Sequence, residues 1–147
     1  MGKTAAPQAQ LSSNYAATDP EATPRRPIRI VVADDDRDTV LSLSALLQEE
    51  GFEAIGVYNG GDVVAAVRES GADAALVDIG MPGMSGYDVA RELRKRYDSC
   101  KPLLIAVTAW AKTADKLMAR AAGFDHHIGK PYDPNEILKL LSTLNAH

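Results

Sequence analysis

The sequence predicts an α/β fold: an open, doubly wound, five-stranded parallel sheet with helices on both faces. Three observations predict it. Five short apolar runs alternate with five segments whose apolar residues recur at helical spacing. The clearest runs are nearly continuous in apolar residues, as in strands covered on both sides. Parallel strands need a crossover between them, and each intervening segment is long enough to be a helix.

Ile28 to Ala33 reads as the first strand. Val40, Leu43 and Leu47, with Leu46 beside them, mark the first helix. Glu53 to Val57 is the second strand. Val63, Val64 and Val67 mark the second helix, with Asn59 as its N-cap. Ala74 to Asp78 is the third strand. Ser85, with Asp88 three residues on, resembles a capping box, and the helix it opens carries Val89, Ala90, Leu93 and Tyr97. Pro102 to Thr108 is the fourth strand and the most apolar segment. Ala114, Leu117, Met118 and Ala121 are expected to form the face of a fourth helix that stops at Gly123. Asp125 to Gly129 is a weak fifth strand. Asp133, Pro134 and Glu136 supply an N-cap, a proline at N1 and an acid at N3 for a last helix carrying Ile137, Leu140, Leu141 and Leu144. Residues 1–26, dominated by Ala, Ser, Thr, Pro, Gln and Asn, read as a disordered tail ahead of a domain over 27–147.

Composition narrows the function classes. The chain has 147 residues, 46% hydrophobic and 24% charged, which suits one globular domain. Its formal charge of −4 argues against a nucleic-acid partner. No run approaches the ~20 apolar residues that span a bilayer, so no membrane insertion is expected. Cys100 is the single cysteine and has no metal or redox spacing, which predicts a reduced, cytoplasmic protein.

In an open parallel sheet the carboxyl ends of all strands lie on one edge, where ligands bind. The first strand ends in Asp34, Asp35 and Asp36, the third in Asp78, the fourth in Thr108 and the fifth in Lys130. Clustered carboxylates with no His or Cys favour a hard divalent cation, Mg²⁺, Mn²⁺ or Ca²⁺. A metal clamp, an ammonium and a hydroxyl suit phosphoryl transfer, and an aspartate can itself be the nucleophile. Asp78 stands alone at the end of a central strand and is the best acceptor.

From about Ile28 to Leu144 the chain resembles the receiver domain of two-component response regulators. The resemblance rests on VVADDD, LVDIGMPGMSG, Thr108-Ala109, Lys130-Pro131 and the GFDHH shortly before that lysine, all in that family's order and spacing. It implies the flavodoxin-like strand order 2-1-3-4-5. It implies Asp78 as phosphoacceptor, with Asp35 and Asp78 on Mg²⁺ directly, Asp34 acting through water, and the Gly80 carbonyl as a further ligand. Thr108, Ala109 and Lys130 would attend the phosphoryl group, and the family's switch aromatic falls at His127. Asp36 lies one place beyond the acidic pair and reads as a helix N-cap. Gly80 and Trp110 occupy positions that flank the phosphoryl group, where Trp110 would shield it.

The resemblance implies a histidine kinase, hybrid kinases included, or a histidine phosphotransfer protein as donor. Such a protein catalyses only its own aspartyl phosphorylation and dephosphorylation. The chain ends just after the last helix, so the expectation is a protein-binding switch without an output domain, with a phosphorylation-dependent dimer as one form of output. A phosphate sink or relay intermediate would use the same residues. A remote alternative is a haloacid-dehalogenase-like phosphatase built on Asp36-Arg37-Asp38-Thr39-Val40, which would need Asp36 to carry the phosphoryl group. His126 and His127 point to opposite faces of a strand and do not read as a metal pair. Gly60-Gly61 lacks the Lys-Ser/Thr of a P-loop and reads as a turn.

Overall fold

A computed structural model describes residues 26–97, 101–109 and 113–145. Residues 1–25 of the expected tail, Cys100 and Trp110 lie outside these residues, whereas Arg26, the tail's last residue, is described. The elements run β1 (Arg29–Ala33), α1 (Arg37–Glu49), β2 (Glu53–Val57), α2 (Gly60–Ser70), β3 (Ala74–Asp78), α3 (Gly86–Arg96), β4 (Leu103–Thr108), α4 (Thr113–Ala122), β5 (His126–Gly129) and α5 (Pro134–Asn145). The strands form one parallel sheet in the order β2-β1-β3-β4-β5. Every residue of β3 is buried, as expected of the middle strand with helices above and below.

The strand pleat sends alternate side chains into two cores. Val31, Ala75, Val77, Leu104 and Ala106 meet Val63 and Val67 of α2, Val89 and Leu93 of α3, and Ala119 and Ala122 of α4. Ile30, Val32, Leu76, Ile105, Val107 and Ile128 meet Val40, Leu43 and Leu47 of α1 and Ile137 and Leu141 of α5. Helix starts are fixed as the local sequence suggests. The Asn59 side chain accepts from the Asp62 N–H at 3.0 Å. The Asp133 carboxylate accepts from the Asn135 N–H at 2.9 Å, and Glu136 reaches back to the Asp133 N–H at 3.3 Å. At α3 only half of the expected box forms. Ser85 Oγ accepts from the Asp88 N–H, while the Asp88 carboxylate takes Arg91 Nη1 at 2.8 Å.

Two expectations are corrected. The face foreseen for α4 points outward: Leu117 is 65% and Met118 52% exposed, and Ala114 and Ala121 are exposed as well. The face against the sheet is Ala119 and Ala122, whose small side chains let the helix approach closely. Gly60 and Gly61 are not a free turn but the first two residues of α2. A Cβ on Gly60 would fall on the Met84 carbonyl, and the Gly60 N–H donates to the Pro82 carbonyl at 3.3 Å. Glycine here lets α2 hold the β3–α3 loop.

The amino edge of the sheet is tied by ions. Asp73 accepts from the Arg29 N–H at 2.9 Å and from Arg26 at 3.0 and 3.2 Å, with Lys101 Nζ at 3.3 Å. Burial works against the Asp73 carboxylate, but the Arg29 N–H and the Arg26 and Lys101 charges outweigh it and hold its pKa below the usual range. Arg94 donates to the Gly123 and Pro102 carbonyls and to Asp125 Oδ2, which ties α3 to the starts of β4 and β5.

Gly60→Ala is expected to lower stability by about 1–3 kcal/mol through overpacking. Gly61→Ala, whose Cβ would meet only Asn59 Oδ1 at 3.4 Å, is expected to be neutral or stabilising. Urea unfolding of both variants distinguishes them. A depressed carboxylate contributes stability above its unfolded pKa and loses it as pH falls through its folded pKa. Asp73→Asn should therefore cost stability near neutral pH, and the difference from wild type should vanish in acid, as read by unfolding at both pH values.

Candidate functional site

The carboxyl edge gathers five of the predicted side chains, Asp34, Asp35, Asp78, Thr108 and Lys130. β1 ends one residue before Asp34, β3 ends on Asp78, β4 ends on Thr108, and Lys130 follows β5. In the middle of the sheet the register pairs Ala33 with Val77, and Asp78 with Val107. Asp34, Asp78 and Thr108 are 4%, 8% and 1% exposed, the only buried polar or charged residues among those described.

Lys130 spans the gap between strands. Its Nζ lies 2.9 Å from Asp34 Oδ2 and 3.2 Å from Asp78 Oδ2. Asp34 Oδ1 accepts from the Asp36 N–H at 2.9 Å, and Asp78 Oδ1 accepts from the Gly80 N–H at 3.0 Å. Burial pushes the Asp78 carboxyl up, only partly offset by the Gly80 N–H and the Lys130 charge. Burial also opposes the Lys130 ammonium, yet the hydrogen bond to Asp34 and the charge of Asp78 prevail and raise it above the ordinary lysine value. The ammonium is therefore firmly charged at neutral pH. The Lys130–Pro131 peptide bond is cis.

Asp34, Asp35 and Asp78 each offer an oxygen within 4.8 Å of the others. Three carboxylates face one ammonium, so negative charge is left over, and every donor is a hard oxygen. That donor set fits Mg²⁺. Asp36 stands apart: it is the N-cap of α1, with its carboxylate on the Asp38 N–H and the Thr39 hydroxyl. The Thr39 hydroxyl is also the chief reason that its pKa is lowered. Asp36 is not among the three carboxylates that gather at the strand ends, so the geometry lends the dehalogenase-like reading no support. Ala109 is exposed beside Thr108 and leaves that rim open. His127 lies on β5, paired in register with Ala106, away from the carboxylates. Sequence reasoning missed the role of Gly60 in holding the loop after Asp78; its only signal was a glycine pair directly after an N-cap.

The family model for the response regulator receiver domain matches residues 30–142. The chain belongs to the receiver domain family of two-component signalling. It is 32% identical over 118 residues to protein PilH of Pseudomonas aeruginosa, covering 80% of this chain and 98% of that one. It is 38% identical over 110 residues to the DNA-binding response regulator MtrA of Mycobacterium tuberculosis, covering 75% of this chain but only 47% of the relative. The chain thus spans about half the length of the DNA-binding regulators it matches. Among solved structures it superposes on a CheY-like receiver domain from Methanospirillum hungatei with a TM-score of 0.74 at 27% identity, covering 81% and 94% of the two chains. It also superposes on response regulator TrrA of Thermotoga maritima, solved in complex with Mg²⁺ and beryllofluoride, with a TM-score of 0.70 at 31% identity and coverage of 80% and 98%. Receiver domains bind Mg²⁺ at their acidic site and take phosphoryl groups from histidine kinases or phosphotransfer proteins.

Removing the ammonium should expose the repulsion it holds in check. Lys130→Met is expected to cost about 1–3 kcal/mol, discounted for partial exposure. Millimolar Mg²⁺ should restore part of that loss in urea unfolding.

Proposed function

We propose that this chain is a Mg²⁺-dependent phosphoryl acceptor that takes the group on Asp78 and signals by changing its affinity for another protein. The observation that carries this is Lys130 Nζ bridging Asp34 and Asp78 across the strand ends. The arrangement leaves one largely buried carboxylate with a fixed ammonium and an adjoining hydroxyl at Thr108.

Asp35, Asp78 and the Gly80 carbonyl would hold the cation, with Asp34 acting through water; Mn²⁺ could take its place. The bound ion supplies charge neutralisation for the phosphoryl oxygens. The rest falls to the chain. An Asp78 oxygen forms the new O–P bond while the P–N bond of a donor phosphohistidine breaks, and the freed imidazole takes a proton from solvent. Lys130 neutralises a phosphoryl oxygen, Thr108 donates its hydroxyl to another, and small Ala109 keeps the approach clear. The incoming charge of about −2 draws in Thr108 and Lys130. The shift passes to the face of α4, β5 and α5 on the path through His127, biasing two pre-existing states. The exposed Leu117 and Met118 on α4 give that face apolar surface for a partner or a second copy. A cytoplasmic location suits this chemistry, and no described helix is long and apolar enough to cross a membrane.

A phosphate sink or relay role uses the same residues. Partner capture with and without phosphorylation separates the two, since a sink retains only donor-side partners. The direct test is incubation with acetyl phosphate and Mg²⁺. One phosphoryl group should be added, as read by intact mass, and Asp78→Asn or EDTA should abolish it. A phosphorylated Asp78→Asn protein would refute the assignment.

A further inference from the structure

His127 on β5 is half-buried, yet its polar atoms are placed as no other described side chain's are. Both ring nitrogens of His127 are shielded from solvent and have no hydrogen-bond partner. Leaving a polar group so placed costs about 1–3 kcal/mol, and a charged one costs more. The register shows what the ring faces. Ile128 points into the core that holds Val107, so His127 points to the opposite face, the one carrying Ala106 and Thr108. Thr108 pairs with Gly129, which has no side chain, so His127 is the next side chain along β5 on that face. We infer that His127 links phosphorylation of Asp78 to proton release, because its seat beside Thr108 accepts the neutral ring and rejects the imidazolium. This rests on the receiver reading above and adds a proton to it.

The electrostatic surroundings agree. Burial lowers the proton affinity of His127, Lys116 on α4 lowers it further, and Asp115 on α4 opposes them. Arg120 of α4, Glu136 and Lys139 of α5, and Asp125 and His126 of the β5 segment line the adjoining cleft of about 530 Å³. Asp125 is committed to Arg94, and Glu136 to the Asp133 N–H. β4 presents no charge to the ring on this face, only Ala106 and Thr108. The cleft also offers a way out, so a protonated ring can turn toward water.

The coupling follows from position. Asp78 pairs with Val107, which places the phosphoryl group beside the end of β4. Drawing the Thr108 side chain toward that group takes it away from His127 and deepens the seat of the ring. The phosphorylated state then binds a proton at His127 less readily. Linkage is reciprocal, so acid must disfavour that state.

The test is NMR titration of the His127 ring in the full chain with Mg²⁺, with and without beryllofluoride as the phosphoryl mimic. His127 should titrate below the ordinary histidine value in the free protein. With beryllofluoride it should titrate lower by about half a unit or more, an approximately threefold change in proton affinity. Beryllofluoride affinity should fall between about pH 7.5 and about pH 5.5, by up to about threefold for a half-unit shift, across the histidine range. In His127→Phe that fall should be flattened. Ordinary titration of His127 in both states, or an equal pH dependence in His127→Phe, overturns this inference alone. Absence of any Asp78-dependent beryllofluoride binding overturns the receiver reading and this inference together.

Discussion

The bridge from Lys130 to Asp34 and Asp78 joins groups 96 and 52 residues apart in the chain. Two carboxylates of low exposure cannot sit together on the rim of an apolar sheet without a cation, and the ammonium is the one the fold supplies. Its reach from the end of β5 requires β1, β3 and β4 to lie between the lysine and the far edge in their observed order. Each strand's length, and each helix that returns the chain to the opposite edge, serves to bring these tips level. The same bridge leaves a surplus of negative charge beside Asp35, which makes a hard divalent ion a natural guest.

The two edges of the sheet carry opposite designs. At the amino edge, charges are matched: Asp73 with Arg26, Arg29 and Lys101, and Arg94 with Asp125 and two carbonyls. At the carboxyl edge, charges are mismatched and largely buried. Stability is concentrated where nothing needs to react, and the strain of like charges sits where a ligand can relieve it. The glycine at position 60 belongs to the second design, since it lets α2 steady the loop that follows Asp78.

Much of this was legible in the sequence because strand limits and helix caps are local. β2 and β3 fall on the expected residues, and Asn59, Ser85 and Asp133 cap the helices assigned to them. The acidic, threonine and lysine positions could be read together because a parallel sheet sends every strand end the same way. The burial of α4 could not be read. Ala114, Leu117, Met118 and Ala121 make a better apolar stripe than Ala119 and Ala122, and periodicity alone cannot say which stripe the sheet will take. The orphaned nitrogens of His127 were also invisible, because they depend on which neighbours a strand meets across the sheet.

The alanine footing of α4 has a thermal consequence. A buried methyl-sized group contributes only about 0.8 kcal/mol, so a helix seated on Ala119 and Ala122 rests on shallow attachments. Leucine and isoleucine anchor α1 and α5 far more deeply. Random agitation should therefore loosen this rung before any other and leave the sheet beneath it intact. A helix seated so lightly is the part of the fold whose displacement would disturb the sheet least.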